Sequence, residues 1–173
     1  MTATVGVLPF TKTDIEPYFR AHYGRLVRAL TLVSGSEEAA ADAVQEAFVR
    51  AHLSWRKVSQ YDDPIGWIRR VAINRLRDEH RRTLRKERAM DRYRAGETGT
   101  VDGPGPNATE EIAAALADLP RQQRLTIALY YLEGLSVAET ASTLELSEGA
   151  VKFHLHKGRE RLRGLLAEGD HQR

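Results

Sequence analysis

The fold is decided by Gly134–Leu166, which reads GLSVAETASTLELSEGAVKFHLHKGRERLRGLL. Ser136 is placed to cap a short helix over Val137–Leu144, with Ala138 and Ala141 small enough for another helix to approach closely. Glu145-Leu146-Ser147 then makes a tight turn, and Ser147 caps a longer helix. Glu145 stands where a left-handed residue, most often glycine, is expected. On the longer helix Val151, Leu155, Leu162 and Leu166 form an apolar seam, and Gly158 permits close contact at a cost of about 1 kcal/mol relative to alanine. The opposite stripe is Glu148, Lys152, His156, Arg159 and Arg163, with Phe153 beside it. Short helix, three-residue turn and basic helix in series make a helix-turn-helix. Its second helix can enter a major groove, where cations meet phosphate and Lys152, Phe153 and His156 reach base edges. An ordinary surface helix also carries a polar stripe; the serial arrangement favours the DNA-facing reading.

Upstream, the periodicity is again helical. Ile15, Phe19, His22, Leu26, Leu30 and Val33 recur at steps of three or four until Ser34-Gly35. Ser36 caps a second helix, with Glu37 and Glu38 in its first turn, where the helix dipole favours negative charge. Its stripe runs Ala40, Val44, Ala47, Phe48, Ala51 and Trp55. Asp63 caps a third, Pro64 opens it, and Ile65, Ile68, Ala72 and Leu76 form its buried side. The face with Trp67, Arg70, Asn74, Arg77 and Arg81 is separate, and Trp67 suits either base stacking or plain core. The run 96–107 is rich in glycine and proline, has almost nothing apolar, and reads as a flexible linker. Helical periodicity resumes at Ile112, Leu116 and Leu119. The expectation is an all-α chain of two small helical domains, 14–90 and 111–168, joined by an acidic linker, 91–110.

Charge follows that division. Arg69–Arg94 holds eleven Lys and Arg against four Asp and Glu, whereas Ala95–Pro120 holds five acids and no Lys or Arg. Lys152–Arg163 returns to five bases against one acid. Two basic blocks flanking an acidic one suggest two polyanion-facing surfaces about a spacer. With no cysteine, disulfides and thiolate metal sites are excluded. No stretch approaches a membrane span and Met1–Phe10 lacks a secretory pattern, so a cytoplasmic location is expected.

These residues carry a family resemblance. Leu119–Arg124, Tyr130–Ser136, Glu139-Thr140-Ala141 and Gly149–Lys152 resemble the promoter-binding C-terminal domain of extracytoplasmic-function sigma factors. Asp42–Phe48 and Trp67–Asn74 resemble their N-terminal domain. Asp62-Asp63-Pro64 and Arg75–Asp78 are similar to an actinobacterial branch. Glu145, Ala150 and Gly158 depart from the usual glycine, threonine and alanine.

The resemblance implies a region 2 bundle and a region 4 helix-turn-helix. Asp42, Gln45 and Glu46 would dock on the β′ clamp helices of core RNA polymerase, with Val44 and Phe48 turned inward. Trp67, Arg70, Asn74 and Arg77 would meet the melted −10 strand, since stacking and guanidinium contacts suit single strands and an amide can read a base edge. The loop Arg56–Asp62 would hold a flipped base, with Gln60 and Tyr61 as candidate walls. Glu148, Lys152, Phe153, His156 and Arg159 would read the −35 duplex. Core polymerase, promoter DNA and an anti-sigma factor are the implied partners, with no direct membrane insertion. A dimeric helix-turn-helix regulator would leave Asp42–Phe48 and the Trp67 face idle. An enzyme is not indicated: the six histidines form no metal-spaced set with carboxylates, no phosphate loop or Ser/His/Asp arrangement appears, and no cofactor is expected.

Overall fold

A computed structural model describes residues 14–91 and 114–171, and every regular element among them is helical. Helix α1 spans Glu16–Ser34 and ends at Gly35, whose φ of 74° lets its N–H close back on Thr31 O at 2.8 Å. Ser36 Oγ accepts from Ala39 N at 3.2 Å and opens α2, Glu37–Leu53. The sequence periodicity runs on to Trp55, but the helix stops at Leu53. Ser54 leaves helical geometry and Trp55–Val58 forms a separate turn, α3. That break tucks the indole, 7% exposed, edge-on beneath Tyr18 with centroids 5.1 Å apart. Asp63 Oδ1 accepts from Gly66 N at 2.8 Å, Pro64 follows, and α4 runs Pro64–Asp91.

Helices α1, α2 and α4 enclose Leu26, Leu30, Val44, Ile68 and Ile73, all 1% exposed or less. Phe19, expected on the inner stripe of α1, is instead 40% exposed, stacked on Tyr23 and edge-on to Phe48 at the bundle's rim. Except for Asp91, the stretch 91–110 read as the acidic linker lies outside the described residues.

The second module begins with a short turn, α5 (114–117), followed by α6, Arg121–Ile127. The chain then widens into a π-helical segment, Ala128–Leu132, in which Glu133 N–H reaches five residues back to Ala128 O at 3.2 Å. Helix α7, Val137–Leu144, opens on a complete capping box: Ser136 Oγ accepts from Glu139 N, and Glu139 Oε2 accepts from Ser136 N at 2.8 Å. Glu145 is left-handed at φ 58°, as the turn requires. Ser147 Oγ accepts from Ala150 N at 3.1 Å, and α8 runs Glu148–His171.

Val151 and Leu155 of α8 are buried against Leu116, Leu119, Ile127 and Ala141. Ala138 is exposed, so the close approach at α7 falls to Ala141 alone; the side chain of Leu166 lies outside the described residues. A Cβ at Gly158 would lie 2.5 Å from Ile127 Cδ1, so the glycine lets α8 approach α6 closely.

The two modules abut. Leu125, Ala128, Leu129, Leu135 and Leu144 of the second belong to one continuous apolar cluster with α1, α2 and α4. Arg124 fastens the corner. Its guanidinium donates to Val33 O of the first module at 3.0 Å and to Leu119 O of its own at 2.9 Å.

Candidate nucleic-acid and polymerase interfaces

The outward face of α8 follows from its inward one. Because Val151 and Leu155 are pinned in the core, Glu148, Lys152, His156 and Arg159 are turned to solvent. Phe153 projects beside them, 56% exposed. Arg159 lies over the Tyr131 ring, 5.9 Å from its centroid, a cation–π contact that holds the guanidinium without neutralising it. His154 turns partly inward, away from His156. The capped turn presents Lys152 and Phe153 on the second turn of α8 and His156 on the third.

On α4 the expected residues share a face but differ in availability. Asn74 is exposed, and Arg77 Nη1 lies 3.5 Å from its Oδ1. Trp67 is half-buried against the core and faces Tyr61 at 6.4 Å, so it divides its ring between packing and the exposed loop. Arg70 is half-buried: Nη2 donates to Ser142 O of α7 at 3.2 Å, while Nε is buried without a partner. In the loop, Gln60 and Tyr61 are exposed, but α3 occupies its first half and Val58 is core.

On α2, Asp42 and Gln45 are exposed opposite buried Val44 and Phe48. Glu46 is not a free acid. Its carboxylate accepts from Arg75 of α4 and from Arg50 on its own helix, bracing α2 against α4. Burial acts to raise its pKa, but the hydrogen bonds from Arg75 and Arg50 outweigh that and hold it below the ordinary glutamate value.

Periodicity missed a charged seam between the modules. Arg69 of α4 and Glu133, after the π-helical segment, meet with Nε to Oε2 at 3.1 Å, their side chains 7% and 2% exposed. Asp63 lies 3.7 Å from the same guanidinium. Arg25 of α1 donates to the carbonyls of Leu132 and Glu133, both at 3.1 Å. His22, read as part of an apolar stripe, borders this cluster. Its pKa is lowered by burial first and by Arg69 next, with Arg25 adding to them and Glu133 and Asp63 opposing. The available signal was an arginine at the edge of the Ile65–Ile68–Ala72 stripe and an acid four residues after Leu129.

Comparison with known proteins places these surfaces in context. The family model for sigma-70 region 2 matches residues 18–86, and that for sigma-70 region 4 matches 109–162. The ECF RNA polymerase sigma factor SigM of Mycobacterium tuberculosis is 33% identical over 155 residues, covering 87% of this chain and 76% of that protein. SigE of Mycolicibacterium smegmatis is 32% identical over 162 residues, of which this chain spans 60% of the relative's length. The sigma factor RpoE of Bartonella quintana, solved with the anti-sigma factor NepR, superposes with TM-score 0.75 over 90% of this chain and 98% of that one; at 20% identity this speaks to the fold. With both sigma-70 regions present in order and a relative one-third identical along most of its length, the chain belongs to the extracytoplasmic-function family of RNA polymerase sigma factors.

Proposed function

We propose that the chain binds core RNA polymerase and directs it to promoters. The polymerase supplies the catalysis; this chain supplies sequence recognition and helps to open the duplex. The carrying observation is that one polypeptide combines the exposed Lys152–Phe153–His156 row with the Trp67–Asn74 face on a second module.

In this reading Asp42 and Gln45 contact the basic clamp helices of β′, while Glu46 keeps their helix braced on α4. Trp67, Asn74 and Arg77, with Arg70 once freed from Ser142, grip the non-template strand of the −10 element, and Tyr61 contributes to the pocket for a flipped base. Lys152, Phe153, His156 and Arg159 read the −35 duplex, with Glu148 at the helix entrance. Residues 14–90 and 111–168 act as two weak binders whose tethering to one polymerase raises their effective concentration. RpoE's complex with NepR supports extending control by an anti-sigma factor to this chain, which would act in the cytoplasm.

Run-off transcription from genomic fragments with core polymerase tests the reading. Discrete promoter-dependent transcripts are expected only when the chain is added. Tight promoter binding by the chain alone at physiological salt, without such transcripts, would instead identify a free-standing regulator.

A further inference from the structure

A cationic cleft lies apart from the surfaces described above. Between α1, α2, α4 and the start of α6 the chain leaves a space of about 370 Å³, within the size range of small-molecule sites. Val33, Ala39 and Leu76 supply its apolar lining, and Arg121 and Arg124 of the second module supply its fixed cations. The α4 residues that line it include Leu76, His80 and Thr83, which point to a different side of that helix from Trp67 and Asn74. The cleft is therefore separate from the face assigned to the −10 strand.

Its charge is one-sided. Glu79 also lines the cleft, but its carboxylate already accepts from Arg75 at 2.8 Å. Arg124 donates to the carbonyls of Val33, Ala117 and Leu119, which orient a guanidinium without neutralising it, and its Nε is buried without a partner. Arg121 is half-buried, and among the described residues its side chain has neither a hydrogen bond nor an ion pair. Burial lowers its pKa first, and the guanidinium groups of Arg77, Arg124 and Arg81 lower it further. A half-buried cation among three like charges is costly unless an anion shares the space. Helix formation does not call for it either: Arg121 is the first residue of α6, where the dipole favours an acid.

We infer that this cleft binds a small organic phosphate, with the phosphate on the Arg121 guanidinium, His80 as a further donor, and the organic part over Val33, Ala39 and Leu76. The guanidinium fork matches two phosphate oxygens, and an imidazole N–H can donate to a third. Both modules line the cleft, so the ligand binds only the folded, joined chain and stabilises it.

Phenyl phosphate, one phosphate joined to one apolar ring, is the probe for the full chain at low salt. Calorimetry should show a single site that prefers it to inorganic phosphate by about fivefold or more, because the ring leaves water. Arg121 is half-buried and Thr83 exposed, so substitution at either opens no core. R121Q should weaken phenyl phosphate binding by roughly tenfold or more. T83E removes no cation but sets a carboxylate among the arginines, and it should weaken binding as well. R161Q, the same loss of charge at an exposed position on α8, should stay within about twofold of the parent. The inference is overturned by a parent chain that fails to bind phenyl phosphate, or that binds it no more tightly than inorganic phosphate. Binding that survives both R121Q and T83E, or that falls equally in R121Q and R161Q, overturns it too, since the attraction would then be diffuse. A short random-sequence single-stranded DNA is the last arm. If R121Q weakens that DNA while the parent ignores phenyl phosphate, Arg121 serves nucleic acid and the small-molecule site is refuted.

Discussion

Gly158→Ala offers a sharp test of how α8 is seated. In an open helix this change gains about 1 kcal/mol from propensity. Here the new methyl would lie 2.5 Å from Ile127 Cδ1, 3.3 Å from Ile127 Cγ1 and 3.6 Å from Gln123 Cβ. Carbon atoms rest at roughly 3.5–4.0 Å, so about 1 Å of movement is needed at a side chain that is itself core. Overpacking of this kind costs about 1–3 kcal/mol, so the substitution should be neutral at best and destabilising by up to about 2 kcal/mol. Ile127→Val removes the obstructing Cδ1 and alone should cost about 0.5–1.5 kcal/mol. In G158A/I127V the new methyl partly refills the vacated space, and the propensity gain is released. The double variant should therefore be more stable than either single one, with a coupling of about 1–2 kcal/mol. Denaturant unfolding of the full chain followed by helical circular dichroism measures all four corners of the cycle. A full propensity gain in G158A alone, or strict additivity, would refute the argument that Ile127 fills the space beside Gly158.

Three further outcomes follow from the site. K152A and H156A should weaken −35-dependent transcription while leaving polymerase capture intact, and K152A should lower the salt slope of promoter binding by about one; loss of both activities would mean that the stripe is structural. Glu46 has a depressed folded pKa, so the stability it contributes is present above its ordinary value of 4.5 and is lost as pH falls through the lower folded value. E46Q should therefore be less stable than the parent at neutral pH, with the gap closing on acidification; a constant gap in thermal melts would show that the Arg75 brace is not the cause. Glu145→Gly should stabilise the chain by about 1 kcal/mol, because the left-handed residue at φ 58° no longer carries a Cβ; a destabilised variant would mean that Glu145 makes a compensating contact.

The parts that sequence resolved are those set within a few residues. Ser36, Asp63, Ser136 and Ser147 cap because a side-chain oxygen can reach an amide two or three residues on, and that geometry is local. The bounds of α7 and its turn, the left-handed Glu145 and the tight approach at Gly158 are legible for the same reason. The outward row Lys152–His156–Arg159 follows once Val151 and Leu155 are assigned inward. Arg69 to Glu133 spans 64 positions and Arg25 to Glu133 spans 108, so no period connects them. A 3.6-residue pattern sorts apolar from polar and sends every arginine outward, which is right for exposed Arg81 and wrong for Arg69. The break at Ser54 was hidden likewise: Trp55 keeps helical phase with Ala51, and the Tyr18 ring it meets edge-on lies on another helix, outside the reach of the α2 pattern.

The Arg69–Glu133 pair also bears on how the two modules meet. Had the seam been purely apolar, the faces of α1 and α4 could slide against the second module with little preference among registers. An opposite-charge pair buried at one point penalises every register but one, while water readily solvates both partners once the modules part. A seam built this way is specific when closed and permissive when open.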